Sequence, residues 1–301
     1  MPGYDTHYIV GIHGYRKLTD TMVKKYITSH KAPYCLGLFG PDTFFYYATE
    51  IMAARKNIGS IMHTSNISEF FKHMLTYIEL HRGETRETAI SYLAGFFSHY
   101  TVDCICHPYV YWCTDYLHKE KNYLEKHFYF ESAIDYLMLK NYKNTTPYMF
   151  KDNVSYELSD DEMAIICDML YFSIRSTYHD SRITRSGIKM AILSLKKEER
   201  VIRIASSRFF NFIPHSKDYT FDDPLNLGHK PWKNPWNIKK ISTDSVPAML
   251  NKATDRFYNI ILLFEKFLQS NTDSSSSFNT LIKFIGNRSY HSGLDCHIKL
   301  L

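Results

Sequence analysis

Three residues at equal spacing are the clearest candidates for chemistry in this sequence. In the stretch HYTVDCICHPY, His99, Asp103 and His107 follow one another at four-residue intervals. On an α-helix such residues lie on nearly the same face, about 6 Å apart along the axis. Two imidazoles with a carboxylate between them can serve two metal ions, the carboxylate bridging them or leaning toward one. The spacing therefore predicts a metal-binding strip on one helix.

A second set of possible ligands surrounds this strip. The stretch HFYFE places His127 and Glu131 four residues apart, and Pro108 leads us to expect that the first helix ends at His107, with that histidine directed off the end. Three more candidates lie upstream, in DTHYIVG, FGPDTFF and SIMHTSN: His7, Asp42 and His63. Together the chain offers five histidines and three carboxylates, a set that suits zinc and tolerates other divalent ions.

Each of these residues also has a simpler interpretation. A lone His7 or His63 is more often a hydrogen-bonded residue than a ligand, and Asp42 after Gly-Pro is a typical turn residue. His127 and Glu131 form a pair that is also common on exposed helices. The combination favours metal, because burying so many polar groups in apolar helices is costly unless an ion or a mutual contact neutralises them.

The elements that must position these residues are mostly helical. Apolar residues recur at three- and four-residue intervals over Ile67 to Leu80, Glu87 to Cys104, Tyr123 to Leu139, Asp160 to Thr177, Arg185 to Leu195, Glu198 to Phe212 and Val246 to Leu268. Helix starts are indicated by Ser68, by Ser159 with Glu162, and by Ser245 before Pro247. Strand-like alternation is scarce. The predicted fold class is therefore all-α, a bundle of seven or more helices.

The domain organisation follows from the same pattern. We expect a single domain over residues 1–301, with the metal ligands in 1–145 and packing helices in 146–269. The segment FDDPLNLGHKPWKNPWN, residues 221–237, is predicted to be an irregular loop packed down by Trp232 and Trp236. Residues 270–301, which contain SNTDSSSS, are expected to form a flexible connector and a tail.

Composition excludes several classes of protein. Hydrophobic residues make up 45% and charged residues 22%, as in globular proteins, and the formal charge of +5 is weak evidence for any polyanion partner. The six cysteines form no CxxC pair and are expected to be reduced. With no signal-peptide pattern and no membrane-length apolar run, we expect a cytoplasmic protein that makes at most peripheral membrane contact.

The order of the candidate residues resembles one known family. The motifs THY at His7, GPD at Asp42, an isolated His63, HYxxDxxxHP at His99 and HxxxE at His127 occur in the order found in the zinc-dependent phospholipase C family. The resemblance extends through NLGHKPWKNPW and to NRSYHSGL near the end, so it covers most of the chain. It implies an all-α fold of the type shared with the secreted single-strand nucleases.

The resemblance also implies roles for the candidate ligands. Asp42, His63, His99 and Asp103 would hold one zinc ion, and His107, His127 and Glu131 a second. His7 and Asp103 would hold a third, although secreted members also use an N-terminal tryptophan there and this chain begins Met-Pro. Nothing after Ser245 indicates the membrane-binding β-sandwich of the toxin-like members.

The predicted activity is hydrolysis of a phosphodiester, most simply cleavage of a phospholipid head group by a metal-activated water. Asp42 is the candidate to orient or deprotonate that water. Aromatic residues that follow it are candidates to line the head-group side: Phe44, Phe45, Tyr46 and Tyr47. The alternatives are a zinc-dependent single-strand nuclease, which would bind nucleic acid and carries aspartate in place of Glu131, and a helical protein whose metals are structural.

Overall fold

Helices make up most of the chain, which confirms the all-α fold class. The computed structural model describes residues 3–47, 57–119, 122–145, 157–208, 221–270 and 274–298. Its α-helices are α1 (Tyr4–Lys17), α2 (Met22–Ser29), α3 (Lys31–Gly37), α4 (Ile58–Met62), α5 (Ile67–Leu80), α6 (Gly83–Cys113), α7 (Tyr123–Lys143), α8 (Asp160–Tyr178), α9 (Arg185–Arg208), α10 (Val246–Gln269) and α11 (Ser274–Ile285). Short 3₁₀ helices span Gly40–Tyr46 and Tyr116–His118. In the described residues, no helix combines the length and apolarity needed to cross a membrane.

The central element is α6. Nearly every residue from Thr88 to Tyr111 is buried, as expected for a helix that is apolar on all sides. Helices α1, α2, α3, α8 and α10 pack around it. The closest approach is to α3, where a Cβ on Gly37 would lie 2.2 Å from the Tyr92 carbonyl oxygen and a Cβ on Gly95 would lie 2.1 Å from that of Tyr34. The two backbones therefore touch, and this contact fixes the end of α3 beside the metal-ligand strip.

Helix α6 does not end at His107 as predicted. It continues through Pro108 to Cys113. Proline has no N–H to donate to the carbonyl four residues earlier, here that of Cys104. Gly293, at a φ of 63°, packs its backbone against this carbonyl so closely that a Cβ would lie 2.0 Å from the oxygen. A distant segment thus packs against the carbonyl that the proline cannot satisfy, and the helix continues.

The predicted helix starts have mixed outcomes. Ser159 and Glu162 form a reciprocal capping box, and Ser245 caps α10 by accepting from the Ala248 N–H, so both predictions are confirmed. The prediction for Ser68 is wrong, because α5 begins at Ile67 after Asn66 in a left-handed conformation. The two helices predicted over 185–195 and 198–212 form the single helix α9, and residues 209–212 lie outside the described part of the chain.

The segment expected to be an irregular loop contains a two-stranded antiparallel hairpin. Strand β1 (Trp232–Asn234) pairs with β2 (Asn237–Ser242). Trp232 is buried, as predicted, and its indole Nε1 donates to the Asp244 carbonyl at 3.1 Å. Asn234 is also buried, and its side-chain amide donates to the Ser292 carbonyl at 2.8 Å. The hairpin is therefore fixed to the C-terminal segment.

Residues 270–301 also differ from the expected connector and tail. Helix α11 occupies 274–285, and Leu281 and Ile285 are fully buried. This helix begins with a run of serines, and its apolar residues come later, so the sequence at its start resembles a flexible connector. After Gly286, at a φ of 75°, the chain turns back toward α6. Residues 271–273 and 299–301 lie outside the described ranges.

Candidate metal centre

The strip on α6 has the geometry that its spacing predicts. His99, Asp103 and His107 lie on one face and are almost completely buried. His99 Nε2 is 3.1 Å and His107 Nδ1 is 3.7 Å from Oδ2 of Asp103. The carboxylate therefore lies between two imidazoles.

His7 reaches this carboxylate from the opposite side. Its Nε2 lies 3.2 Å from Oδ1 of Asp103, and its ring stacks on that of His99 with centroids 4.3 Å apart. The two oxygens of Asp103 thus face different histidines. His7, His99 and Asp103 form a group whose candidate ligand atoms all lie within 4.8 Å of one another.

Asp135 on α7 holds the start of α1 and thereby positions His7. Its carboxylate accepts hydrogen bonds from the backbone N–H groups of Asp5 and Thr6, each at 3.1 Å, and from the Thr6 hydroxyl. The Thr6 N–H is shared with the Gly3 carbonyl at 3.1 Å, and a carboxylate at this end of a helix is favourable because the first N–H groups lack a full set of helical partners. Burial raises the pKa of Asp135 to about 6 despite these bonds. No sequence pattern predicted this role.

A second group combines Asp42, His63 and His99, again within 4.8 Å. Asp42 lies on the first 3₁₀ helix, and its Oδ1 is 3.1 Å from His63 Nε2. The turn into this helix depends on Gly40, which has a φ of 51° and lies against the His99 ring. A Cβ there would be 2.4 Å from Cδ2 of His99. Glycine is therefore required both for the conformation and for the space.

The third group contains His107, His127 and Glu131. Oε1 of Glu131 is 2.7 Å from His127 Nε2 and 3.7 Å from His107 Nε2. The pair on α7 is partly buried, so it faces α6 and is not the exposed helix pair of the simpler interpretation. Nδ1 of His127 lies 3.1 Å from the Tyr123 hydroxyl.

Main-chain carbonyls orient three of the imidazoles. Nδ1 of His63 lies 2.6 Å from the Gly59 oxygen, and Nδ1 of His99 lies 2.9 Å from the Leu38 oxygen. Nδ1 of His107 is 3.1 Å from the Tyr290 oxygen. A carbonyl only accepts, so each Nδ1 carries the proton and each Nε2 presents a lone pair to the centre. This arrangement is typical of metal-binding histidines.

Several buried polar atoms in the cluster lack a hydrogen bond. Among the described residues, neither oxygen of Asp103 makes a hydrogen bond of acceptable geometry, and the same holds for His99 Nε2 and both ring nitrogens of His7, although two of these nitrogens lie within 3.2 Å of the carboxylate. Buried polar groups are almost always hydrogen-bonded, and leaving them without partners is costly. Nitrogen and carboxylate oxygen are ligands that zinc accepts. The donor set therefore fits divalent metal ions.

The electrostatics of the cluster favour the protonation states that metals need at most of its groups. Burial lowers the pKa of His7 and holds that of His107 well below its ordinary value. Burial also lowers the pKa of His127 to about 2. Burial would raise the pKa of Asp103, but His99 and His107 hold it well below the usual range. Burial would lower the pKa of His99, but the Asp103 carboxylate raises it above its ordinary value. The centre without metal thus favours neutral imidazoles at His7, His107 and His127 and a charged pair at His99 and Asp103.

Only part of the predicted aromatic lining faces the centre. Phe44 and Tyr47 are fully buried, and the Tyr47 hydroxyl accepts from the Thr184 N–H at 2.9 Å, so both side chains pack in the core and their contact with substrate stays a prediction. Tyr46 packs against the core. In a 3₁₀ helix, residues three apart share a face. Phe45 therefore lies on the side of Asp42, with its ring 5.1 Å from that of His63 and 47% exposed.

The C-terminal segment contributes residues that the sequence did not assign to the site. The Tyr290 N–H donates to the His63 carbonyl at 2.9 Å, while its own carbonyl orients His107. The His291 ring lies 5.5 Å from that of His63 and 5.7 Å from that of His107. This segment therefore braces two ligand groups. The family resemblance included the motif NRSYHSGL, but it assigned no role to any residue of that motif.

The chain belongs to the zinc-dependent phospholipase C family, because the sequence profile of that family matches residues 6–181. This range includes all of the candidate ligands but not the hairpin or the C-terminal segment. No curated protein and no solved structure matches the chain. Family membership and the ligand groups together support a zinc-dependent hydrolase of the phospholipase type.

Proposed function

We propose that this protein is a phospholipase C-like phosphodiesterase that cleaves a phospholipid head group with a zinc-activated water. The observation that carries the proposal is the position of Asp103, which is buried and lies within 3.2 Å of His7 and of His99, a histidine that two ligand groups share. Such a carboxylate can link adjacent ions. We propose one ion at Asp42, His63, His99 and Asp103, a second at His107, His127 and Glu131, and a third at His7 with Asp103.

Zinc ions bound here would lower the pKa of a coordinated water toward neutrality and stabilise charge on phosphate oxygens and on the departing alkoxide. The chain's own contribution begins with Asp42. Of the two carboxylates proposed for the first ion it is the more exposed, at 8% against 0% for Asp103, while His63 and His99 are almost fully buried. We infer that Asp42 orients the attacking water or accepts its proton.

The exposed ring of Phe45 adds an apolar wall next to Asp42 and His63. We infer that it contacts the substrate beside the phosphate. The buried imidazoles hold fixed orientations through their carbonyl partners, so binding requires little rearrangement of the chain. Preorganisation of this kind favours catalysis over a purely structural role for the metals.

The test is a parallel assay of the zinc-loaded protein on a panel of phospholipids and on single-stranded DNA, with and without chelator. We expect release of a phosphorylated head group from at least one lipid, loss of this activity with chelator, and recovery with zinc. Bound zinc is measured on the same samples by elemental analysis, and at least two ions per chain are expected. Cleavage of DNA without cleavage of lipid would overturn the proposal in favour of a nuclease.

A further inference from the structure

An aromatic cluster connects the third ligand group to the surface. The Tyr111 ring lies 4.8 Å from that of His127 and 5.1 Å from that of Trp236. Trp236, in the turn of the hairpin, is in turn 4.8 Å from Tyr116, which lies 5.7 Å from Tyr123. These contacts join the hairpin, the second 3₁₀ helix and the start of α7 into one rim beside the centre.

This rim exposes an unusual number of large apolar side chains. Leu124 is 81% exposed, and its neighbour one turn on, Phe128, is also exposed. Leu117 follows Tyr116 on the 3₁₀ helix, and Ile238 and Ile241 lie on β2 just after Trp236. Contiguous exposed apolar residues of this kind mark interaction sites.

The hairpin presents part of this surface through an irregularity in its pairing. Asn234 pairs with Asn237, but Lys233 pairs with Ile241, so residues 238–240 have no counterpart in β1. Ile238, Lys239 and Lys240 therefore bulge from the strand pair, and all three are exposed. The bulge places basic residues between two isoleucines.

The charge around the apolar residues is positive. Lys119 lies over the Tyr116 ring at 3.7 Å, and Lys239 and Lys240 are exposed between Ile238 and Ile241. Among the described residues flanking Lys119, Asp115 has His118 as a partner at 2.9 Å, and Glu125 is an exposed carboxylate. Basic residues interspersed with apolar ones match the headgroup layer of an anionic bilayer.

We propose that this rim docks on an anionic phospholipid bilayer and holds the metal centre against it. The docking surface is formed by Leu117, Lys119, Leu124, Phe128, Ile238, Lys239, Lys240 and Ile241. The inference that this surface serves the metal centre rests on the proposed function, since a phospholipase must reach head groups within a membrane. The apolar residues enter the interface, and the lysines pair with lipid phosphates.

The test separates docking from chemistry. Zinc-loaded wild type and the variants Ile238→Ser/Ile241→Ser and Lys239→Glu/Lys240→Glu are co-sedimented with vesicles of phosphatidylcholine and phosphatidylglycerol. Hydrolysis is measured on these vesicles and on a short-chain phospholipid below its critical micelle concentration. Leu80→Ser and Lys25→Glu/Lys31→Glu, at exposed positions on α5, α2 and α3, are the matched controls.

We expect the isoleucine variant to bind vesicles about tenfold more weakly or worse, because each isoleucine loses the favourable transfer of its side chain. The lysine variant should lose about fivefold per residue and more at low salt. Vesicle hydrolysis should fall in parallel, while turnover of the monomeric substrate and the behaviour of the controls stay as in wild type.

Wild-type vesicle binding that none of these substitutions weakens, or no vesicle binding at all, overturns the docking surface. Turnover of the monomeric substrate without vesicle binding does so while leaving the proposed activity intact. Conversely, variant-sensitive binding by a protein that cleaves neither substrate supports the docking surface and overturns the proposed activity.

Discussion

Replacing Asp103 with asparagine tests the metal centre most directly. The substitution preserves size but removes the charge that faces His7 through one oxygen and His99 and His107 through the other. Two unit charges 4 Å apart interact by about 4 kcal/mol at an effective dielectric constant of about 20, and a divalent ion doubles this. The remaining amide oxygen recovers part of that loss.

Removing one partner of a buried charge pair typically costs about 3–5 kcal/mol. We therefore expect zinc to bind Asp103→Asn between about a hundredfold and a few thousandfold more weakly. Because the carboxylate faces more than one group, more than one ion should be lost. His7→Ala should lose less, since His7 belongs only to the group with His99 and Asp103, whereas Asp103 also lies 3.7 Å from His107 of the third group.

The measurement is zinc titration against a competing chelator, with elemental analysis of the purified protein. Asp168→Asn is the control, because this carboxylate pairs with Arg185 and Tyr77 outside the centre. Circular dichroism reports whether each variant folds. A folded Asp103→Asn protein that binds the same number of ions within threefold of the wild-type affinity would show that the strip is only a helix face.

Three further predictions concern single positions. Glu131→Gln should remove one zinc ion per chain and most of the turnover, because it deletes the charge facing His127; unchanged zinc content by elemental analysis would contradict its role as a ligand. Gly40→Ala and Gly83→Ala should each lose about 1–2 kcal/mol in urea unfolding from their positive φ. Only the former should also lose zinc, since a Cβ at Gly40 meets the His99 ring and one at Gly83 meets nothing within 4 Å; equal zinc binding would refute this. Because burial lowers the pKa of His127 from 6.5 to about 2, the unfolded chain alone takes up this proton below pH 6.5. In the metal-free protein His127 should therefore contribute a loss of about 1.4 kcal/mol of stability per pH unit below pH 6.5, and His127→Gln should reduce the slope by that amount in urea unfolding.

The sequence was sufficient where the physical cause is local. The four-residue spacing of His99, Asp103 and His107 places them on one helical face regardless of the rest of the fold. The apolar repeat likewise predicted α5 from Ile67 to Leu80 with the observed bounds. The prediction failed at Pro108, because the continuation of α6 involves Gly293, which is distant in sequence.

The remaining ligands lie on separate elements, and no local pattern brings those elements together. His7 is held by the contact of Asp135 with the start of α1, and Asp42 by the turn at Gly40. Neither contact follows from spacing or periodicity. Resemblance to a family therefore assigned these ligands, whereas their geometry required the structure.

The C-terminal segment couples the ligand groups to one another. Tyr290 donates its N–H to the His63 carbonyl and accepts from His107 Nδ1 through its own carbonyl, so one residue touches histidines of two groups. A metal ion that fixes His63 or His107 therefore also favours the docked position of this segment. By linkage, the docked segment must strengthen metal binding by the same free energy. Gly293, on the same segment, packs against the Cys104 carbonyl, which Pro108 leaves without its helical hydrogen bond. Pro108 was predicted to end the helix, but the helix continues. The carbonyl freed by the proline instead joins the ligand strip to the C-terminal segment.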